Sequence, residues 1–190
     1  AIAIQAAGRY PDLVNGLVSA VPSSVARSGS FLKSGVVIVF ESLDAPTGQA
    51  NMAPVIVDKA VANPKVRAKI KDEPLNRSKL TKGEMAKFEK FMDDTHDCAP
   101  LVERTPTMVL VAYKDKLVSP DGSLDLLSEM TTPMKLMIVD GNSGHLMLEE
   151  QQMTPDVERL LKSWLQDQAA KAVLLQGSRA KVSANSDLQE

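Results

Sequence analysis

The chain has 190 residues, 44% of them hydrophobic, with 22 basic and 24 acidic side chains and a formal net charge of −2. That balance offers no electrostatic case for a nucleic-acid partner, and no run of about 18 apolar residues marks a transmembrane helix. The single cysteine, Cys98, excludes an internal disulfide framework and leaves the redox compartment open. No basic leader with a cleavage site is visible, so the cytoplasm is the default expectation.

Ala1 to Tyr10 is alanine-rich and reads as a helix with no cap before it. Gly8 to Pro11 ends it, because the residue before proline is pushed out of the α region. Val14 to Val21 is then a buried strand halted at Pro22. Ser23 to Arg104 breaks the strand-helix alternation with short helical patterns at Phe31–Phe40, Val55–Ala62, Val66–Ile70 and Lys82–Met92. Turn signals at Pro46-Thr-Gly48, Asn63-Pro64 and Glu73-Pro74 separate them. Val36 to Phe40 is β-prone in isolation but reads as helix among these neighbours. Asp93, Asp94, His96, Asp97 and Cys98 offer metal-ligand chemistry within six positions. A second Cys/His cluster is missing, so a solvated helix end is the better reading and no metal is expected.

The most informative stretch runs from Thr105 to Glu150. Thr107 to Tyr113 is a nearly continuous apolar run, suited to a strand buried on both faces of a parallel sheet. Asp115 follows directly. Ser119 or Asp121 caps a helix whose Leu124, Leu127 and Met130 share a face. Met134 to Val139 is a second apolar strand, and Asp140-Gly-Asn-Ser-Gly-His145 turns out of it. Ligands gather outside such carboxyl ends of parallel strands. Asp115 and His145 thus stand where a carboxylate fixes an imidazole tautomer and the imidazole deprotonates a hydroxyl. Either residue alone is more often a turn former or a hydrogen-bonded structural group; the pairing across one βαβ unit singles them out.

The rest of the chain adds no further chemistry. Ser143 lies within the histidine turn and is expected to bond the backbone. Ser28 and Ser30 around Gly29 are equally poor nucleophile candidates. Met130, Met134, Met137, Met147 and Met153 read as core packing before a lipid-accepting pocket. A last helix opens at Thr154-Pro155-Asp156, with Val157, Leu160, Leu161, Trp164 and Leu165 as a stripe for one sheet face. Beyond Gly177 the composition is that of a polar, loosely held tail.

The segments TPTMVLVAYKDKLVSPDGSLDLL and MKLMIVDGNSGHLMLEE resemble the acid and histidine segments of the α/β-hydrolase superfamily, in its monoacylglycerol lipase-like branch of serine hydrolases. Acid precedes histidine in that fold, and a serine on a Gly-x-Ser-x-Gly elbow precedes both. By resemblance Asp115 is the acid, His145 the base and Glu149 or Glu150 a trailing acid. AIAIQAAGRYPDLVNGLVSAVPSS resembles the helix and strand next after the elbow, with Ala1, Ala3, Ala6 and Ala7 giving the small helix the strained turn requires. IKDEPLNRSKLT resembles an element of the family's helical cap, with Glu73 in place of Asp. No Gly-x-Ser-x-Gly occurs in the 190 residues, so the resemblance implies that the chain starts just past its nucleophile. It further implies a three-layer α/β fold in four parts: post-elbow core (1–23), inserted helical cap (24–104), core with acid and histidine (105–176) and tail (177–190). The implied activity is hydrolysis of a small ester or lipid-like acyl substrate without cofactor, and the missing N-terminal half of the domain is an implied partner. Two other classes stay open: a non-catalytic interaction module of the same fold, and a fold member with dehalogenase or peroxidase chemistry.

Overall fold

Thr107–Ala112 forms a strand with all six residues buried. In the computed structural model of the chain, which describes residues 1–22, 48–51, 53–77, 79–149 and 152–186, this strand is the centre of a three-stranded parallel sheet. In chain order the helices are α1 (Ile2–Arg9), α2 (Ala53–Ala60), α3 (Pro64–Asp72), α4 (Lys82–Cys98), α5 (Pro120–Glu129) and α6 (Pro155–Ser186). The strands are β1 (Leu17–Ala20), β2 (Gln49–Asn51), β3 (Lys79–Thr81), β4 (Thr107–Ala112) and β5 (Lys135–Asp140). β4 pairs with β1 on one side, Leu17 opposite Thr107, and with β5 on the other, Thr107 opposite Lys135. The three expected sheet strands are therefore adjacent and parallel, in the order β1-β4-β5.

Burial explains this centre. A strand covered on both faces has no polar side to leave in water, and Met108, Val109, Leu110 and Val111 supply the apolar surface. On one face Val109, Val111 and Leu17 pack with Ile4 and Ala7 of α1, Ala99 and Val102, Leu126 and Leu127 of α5 and Met130 just after it, with Met137 against the cluster. The inward face of α5 begins at Ser123 and runs through Leu126, Leu127 and Met130; Leu124, expected on it, is exposed. The helical register decides this, since 123, 126, 127 and 130 follow the i, i+3, i+4, i+7 rule and 124 lies one step around. Ser119 is the cap, its Oγ accepting the Asp121 N–H at 3.3 Å.

Between β1 and β4, residues 23–47 lie outside the described residues, and with them the Phe31–Phe40 and Val36–Phe40 readings and Ser28 and Ser30. The described part of this stretch holds α2, α3 and α4 at the expected places. It adds one element that the sequence did not suggest, an antiparallel pairing of β2 with β3. Asn63 caps α3 by accepting the Lys65 N–H at 3.0 Å, and Glu73 turns extended before Pro74. Thr81 and Glu84 close a reciprocal capping box on α4.

The last helix differs from expectation. The chain divides into two units, Ala1–Met153 and Thr154–Glu190, and in the second α6 continues through Gly177 to Ser186, where a loose tail was expected. One glycine costs a helix only about 1 kcal/mol relative to alanine, and no proline follows to stop it. Ion pairs at helical spacing, Glu158–Lys162 and Asp167–Lys171, both at 2.6 Å, support its exposed side. Among the described residues no helix is long and apolar enough to cross a membrane.

One contact in the first unit is unusually close. A Cβ built on Gly8 of α1 would stand 2.5 Å from the Cys98 carbonyl oxygen and 3.2 Å from the Leu101 Cβ. Helix propensity alone makes Gly→Ala stabilising by about 1 kcal/mol. The clash with a fixed backbone carbonyl reverses that sign, so Gly8→Ala should destabilise the chain by roughly 1–3 kcal/mol. Thermal unfolding reads this as a lowered Tm; an unchanged or raised Tm would show that α1 does not approach α4 so closely.

Candidate active site

β4 and β5 end level, with Ala112 opposite Asp140, and the chain leaves both strands in the same direction. Two further backbone bonds hold the departing segments together: Tyr113 N–H donates to Asp140 O at 2.9 Å and Lys114 N–H to Ser143 O at 3.1 Å. The next residue on the first segment is Asp115, and two residues on along the second is His145. Their side chains meet, His145 Nδ1 lying 2.8 Å from Asp115 Oδ2.

The carboxylate of Asp115 has no solvent exposure and the imidazole of His145 keeps about a quarter of its own. Such a buried carboxylate needs partners for both oxygens. Oδ1 accepts the Leu117 N–H at 2.6 Å and the Val118 N–H at 3.0 Å, and Oδ2 faces the imidazole. A carboxylate only accepts, so Nδ1 carries the ring proton and Nε2 is left as the basic nitrogen. This is the arrangement in which one imidazole can take and return a proton.

A cavity of about 220 Å³ opens at this point, lined by Ala20, Val21, His145, Leu146, Met147, Leu148 and Glu149. Val21 carries φ of 45°, a region that costs a β-branched residue about 1–3 kcal/mol. Its N–H donates to Leu110 O at 2.8 Å, which holds the strained peptide against β4. The strand therefore stops one residue short of Pro22, and the wall of the cavity is built from the strained residue. Glu149 also lines a second cavity of about 400 Å³, with Val66, Lys69, Ile70, Glu73, Leu75 and Asn76 from α3 and the turn after it. The C-terminal end of α2 adjoins the histidine turn as well, since the Ala60 carbonyl is 3.8 Å from where a Gly144 Cβ would stand.

Other candidates take different places. Ser143 is buried and its Oγ donates to Asp140 Oδ2 at 2.6 Å, so it bonds a carboxylate where a backbone partner was expected. The turn from Asp93 to Cys98 is not simply a solvated helix end. Asp93 and Asp97 are exposed, but Thr95 and Cys98 are buried, and His96 Nδ1 lies 2.7 Å from Glu129 Oε2 on α5. Cys98 Sγ accepts from Arg9 Nε at 3.3 Å, a bond that raises the Arg9 pKa. No three potential metal ligands converge among the described residues. Of the methionines, Met130 is in the core, Met137 packs against it, and Met147 is buried in the cavity wall; Met134 and Met153 are exposed. Sequence reasoning missed Val21 and the Asp140–Ser143 bond. The Asp-x-x-Ser spacing was legible as a side-chain turn motif, whereas nothing local announces a valine with positive φ.

Asp115→Asn tests the tautomer directly. The amide must keep its oxygen toward the two N–H donors of Leu117 and Val118, which aims its NH₂ at His145 Nδ1. Two donors cannot share that contact, so the proton should move to Nε2 and remove the basic nitrogen. Imidazole ¹⁵N shifts of His145 should exchange their pattern between the two ring nitrogens. Persistence of the Nδ1–H form would overturn the assignment of Oδ2 as its partner.

Comparison with known proteins places this geometry. No curated protein sequence matches the chain significantly. Among solved structures the chain is similar to a monoacylglycerol lipase of Paleococcus ferrophilus (TM-score 0.66, 18% identity), over 87% of this chain and 63% of that one. A soluble variant of monoglyceride lipase from Saccharomyces cerevisiae, crystallised with a substrate analogue, gives TM-score 0.64 at 14% identity over 88% and 61%. A peroxisomal α/β-hydrolase of the same yeast gives TM-score 0.51 at 15% identity over 91% and 51%. At such identities the likeness is one of fold, and the chain spans about three fifths of the length of the two lipases. The family model described as serine aminopeptidase, S33, matches residues 1–152, the span that holds the whole parallel sheet and both turns beyond it. The chain is a member of that family and has the α/β-hydrolase fold.

Proposed function

We propose that this chain carries the general base and the orienting acid of a serine hydrolase acting on carboxylic esters, with His145 as base and Asp115 as its partner. The observation that supports this most directly is the 2.8 Å contact between His145 Nδ1 and the fully buried Asp115 carboxylate at the ends of adjacent parallel strands. The 190 residues contain no Gly-x-Ser-x-Gly, so the reading requires a serine from outside them. That hydroxyl attacks the acyl carbonyl carbon while His145 Nε2 takes its proton. The imidazolium, stabilised by Asp115, then protonates the leaving alkoxide and an acyl-serine remains. Water deprotonated by the same nitrogen releases the carboxylic acid and restores the serine.

The walls support a substrate class. The cavity at His145 is small, with polar and apolar wall in equal share, and through Glu149 it borders the larger, mainly apolar one lined by Val66, Ile70 and Leu75. An ester with one apolar chain and a compact polar alcohol, a monoacylglycerol or similar acyl ester, matches both. In this reading residues 24–104 are the cap, and the rest of the catalytic domain is the chain's partner. A second reading keeps the fold without the chemistry, as a non-catalytic module; an Asp at the elbow would point to dehalogenation instead.

The 190-residue chain alone is expected neither to hydrolyse p-nitrophenyl esters nor to label with a fluorophosphonate, because a hydroxyl without a base in reach is a poor nucleophile. A longer protein carrying its own elbow and preceding strands should do both. Asp115→Asn or His145→Ala in that protein should lower kcat by roughly 10⁴-fold or more. Stoichiometric labelling of a serine within the 190 residues would overturn the location of the nucleophile, and an inactive longer protein would favour the module.

A further inference from the structure

We infer that Ser143 is a positioning residue for His145, with the Asp140 carboxylate as its anchor; the role assigned to His145 rests on the hydrolase reading above. The turn from Asp140 to His145 looks, in sequence, like a glycine turn. The backbone does not use the glycines that way. Neither Gly141 nor Gly144 has a left-handed φ, a Cβ on Gly141 would meet nothing within 4 Å, and one on Gly144 would make only ordinary contact. Something other than glycine's freedom shapes the turn.

The Asp140 carboxylate does so. Its Oδ1 accepts the Asn142 N–H at 2.9 Å and its Oδ2 accepts the Ser143 hydroxyl at 2.6 Å. Both bonds are charge-assisted and about twice as strong as neutral ones, and the serine is only 2% exposed, so water competes little for it. With its side chain fixed to β5, the Ser143 peptide presents its carbonyl to Lys114 N–H at 3.1 Å. That bond is the last rung between the two segments before Asp115 and His145 meet. Ser143 thus joins the end of β5, through its hydroxyl, to the residue before the acid, through its carbonyl. Lys114 Nζ to Asn142 Oδ1 at 3.3 Å ties the same two segments at the surface. Loss of the hydroxyl frees the peptide to rotate, and His145, two residues on, swings from Asp115. A shift of about 1 Å at such a contact is enough to cost on the order of 10²-fold in rate.

The 190-residue chain is sufficient for the test, because it has two histidines and His96, held by Glu129 on α5, serves as the internal reference. Imidazole ¹H–¹⁵N spectra of the wild type should show His145 as the Nδ1–H tautomer with a downfield, slowly exchanging proton. Ser143→Ala should lose that proton and give a tautomer mixture, while the His96 signals stay in place. Gly141→Ala should match the wild type. Should Ser143→Ala fail to fold, Asp140→Asn decides: the amide is the same size but offers one accepting oxygen for two donors, so it should move the His145 signals in the same direction. In the longer protein with its elbow, Ser143→Ala should lower kcat on the order of 10²-fold with little change in KM. A merely structural serine would lower Tm and leave the His145 tautomer as in the wild type; that result, in Ser143→Ala or in Asp140→Asn, overturns the inference. Inactivity of the longer wild-type protein with an intact Nδ1–H signal would sink the hydrolase reading and leave the positioning role standing.

Discussion

The parallel register of β4 against β5 is the constraint on which the rest depends. Residues along a strand are spaced about 3.3 Å apart, so a slip of one residue would carry the histidine turn past the acid turn by more than the 2.8 Å contact can absorb. It would also exchange the two faces of β5. The register is fixed where side chains cannot tolerate the alternative. On β4, Val109 and Val111 enter the cluster with α1 and α5, whereas Met108 and Leu110 are buried on the opposite side. The placement of the Asp115–His145 pair therefore depends on apolar packing several residues away.

Helix α1 carries the same packing across to β1 on that face of the sheet. Ile4 and Ala7 bury completely beside Leu17 and Val109, and Gly8 admits the end of α4 to contact distance. Gln5 then donates to Phe91 O at 2.8 Å and to Thr95 Oγ at 3.2 Å, which satisfies a buried amide that would otherwise be costly. His96 with Glu129 joins α4 to α5. Helices α1, α4 and α5 and strands β1 and β4, distant in sequence, are thus held by one small-residue surface and a few polar ties.

Much of this was legible because it rests on local patterns. The apolar run from Thr107 to Tyr113, the acid just after it and the histidine after the next strand are all short-range signals, and the helix cap at Ser119 or Asp121 is read the same way. What escaped depends on partners far along the chain. The three-residue strands β2 and β3 have no periodicity of their own and exist through each other. The buried face of α5 is set by which residues meet Ile4 and Val102, not by the leucines taken alone. His96 looked like part of an exposed acidic cluster because its carboxylate partner is Glu129, beyond a helix and a strand. The continuation of α6 past Gly177 was missed because a polar composition was taken for the absence of structure, although alanine, lysine and arginine are good helix formers.

The pairing of Asp115 with His145 needs no nucleophile to form. Every bond that orients it comes from backbone or side chains within residues 112–145: the Leu117 and Val118 N–H groups on one carboxylate oxygen, and the Lys114–Ser143 rung beneath the pair. Under the proposed function, the base would be held in its Nδ1–H tautomer by the fold itself, so its orientation is a cost met during folding and not during the reaction. The Val21 peptide points to the same division of labour. Its strained φ is held by a bond to β4 and lies against the cavity, where strain persists only if the surrounding structure over-determines it. In the proposed hydrolase, the part of the apparatus that needs rigid placement is thus contained in one βαβ unit and the strand beside it.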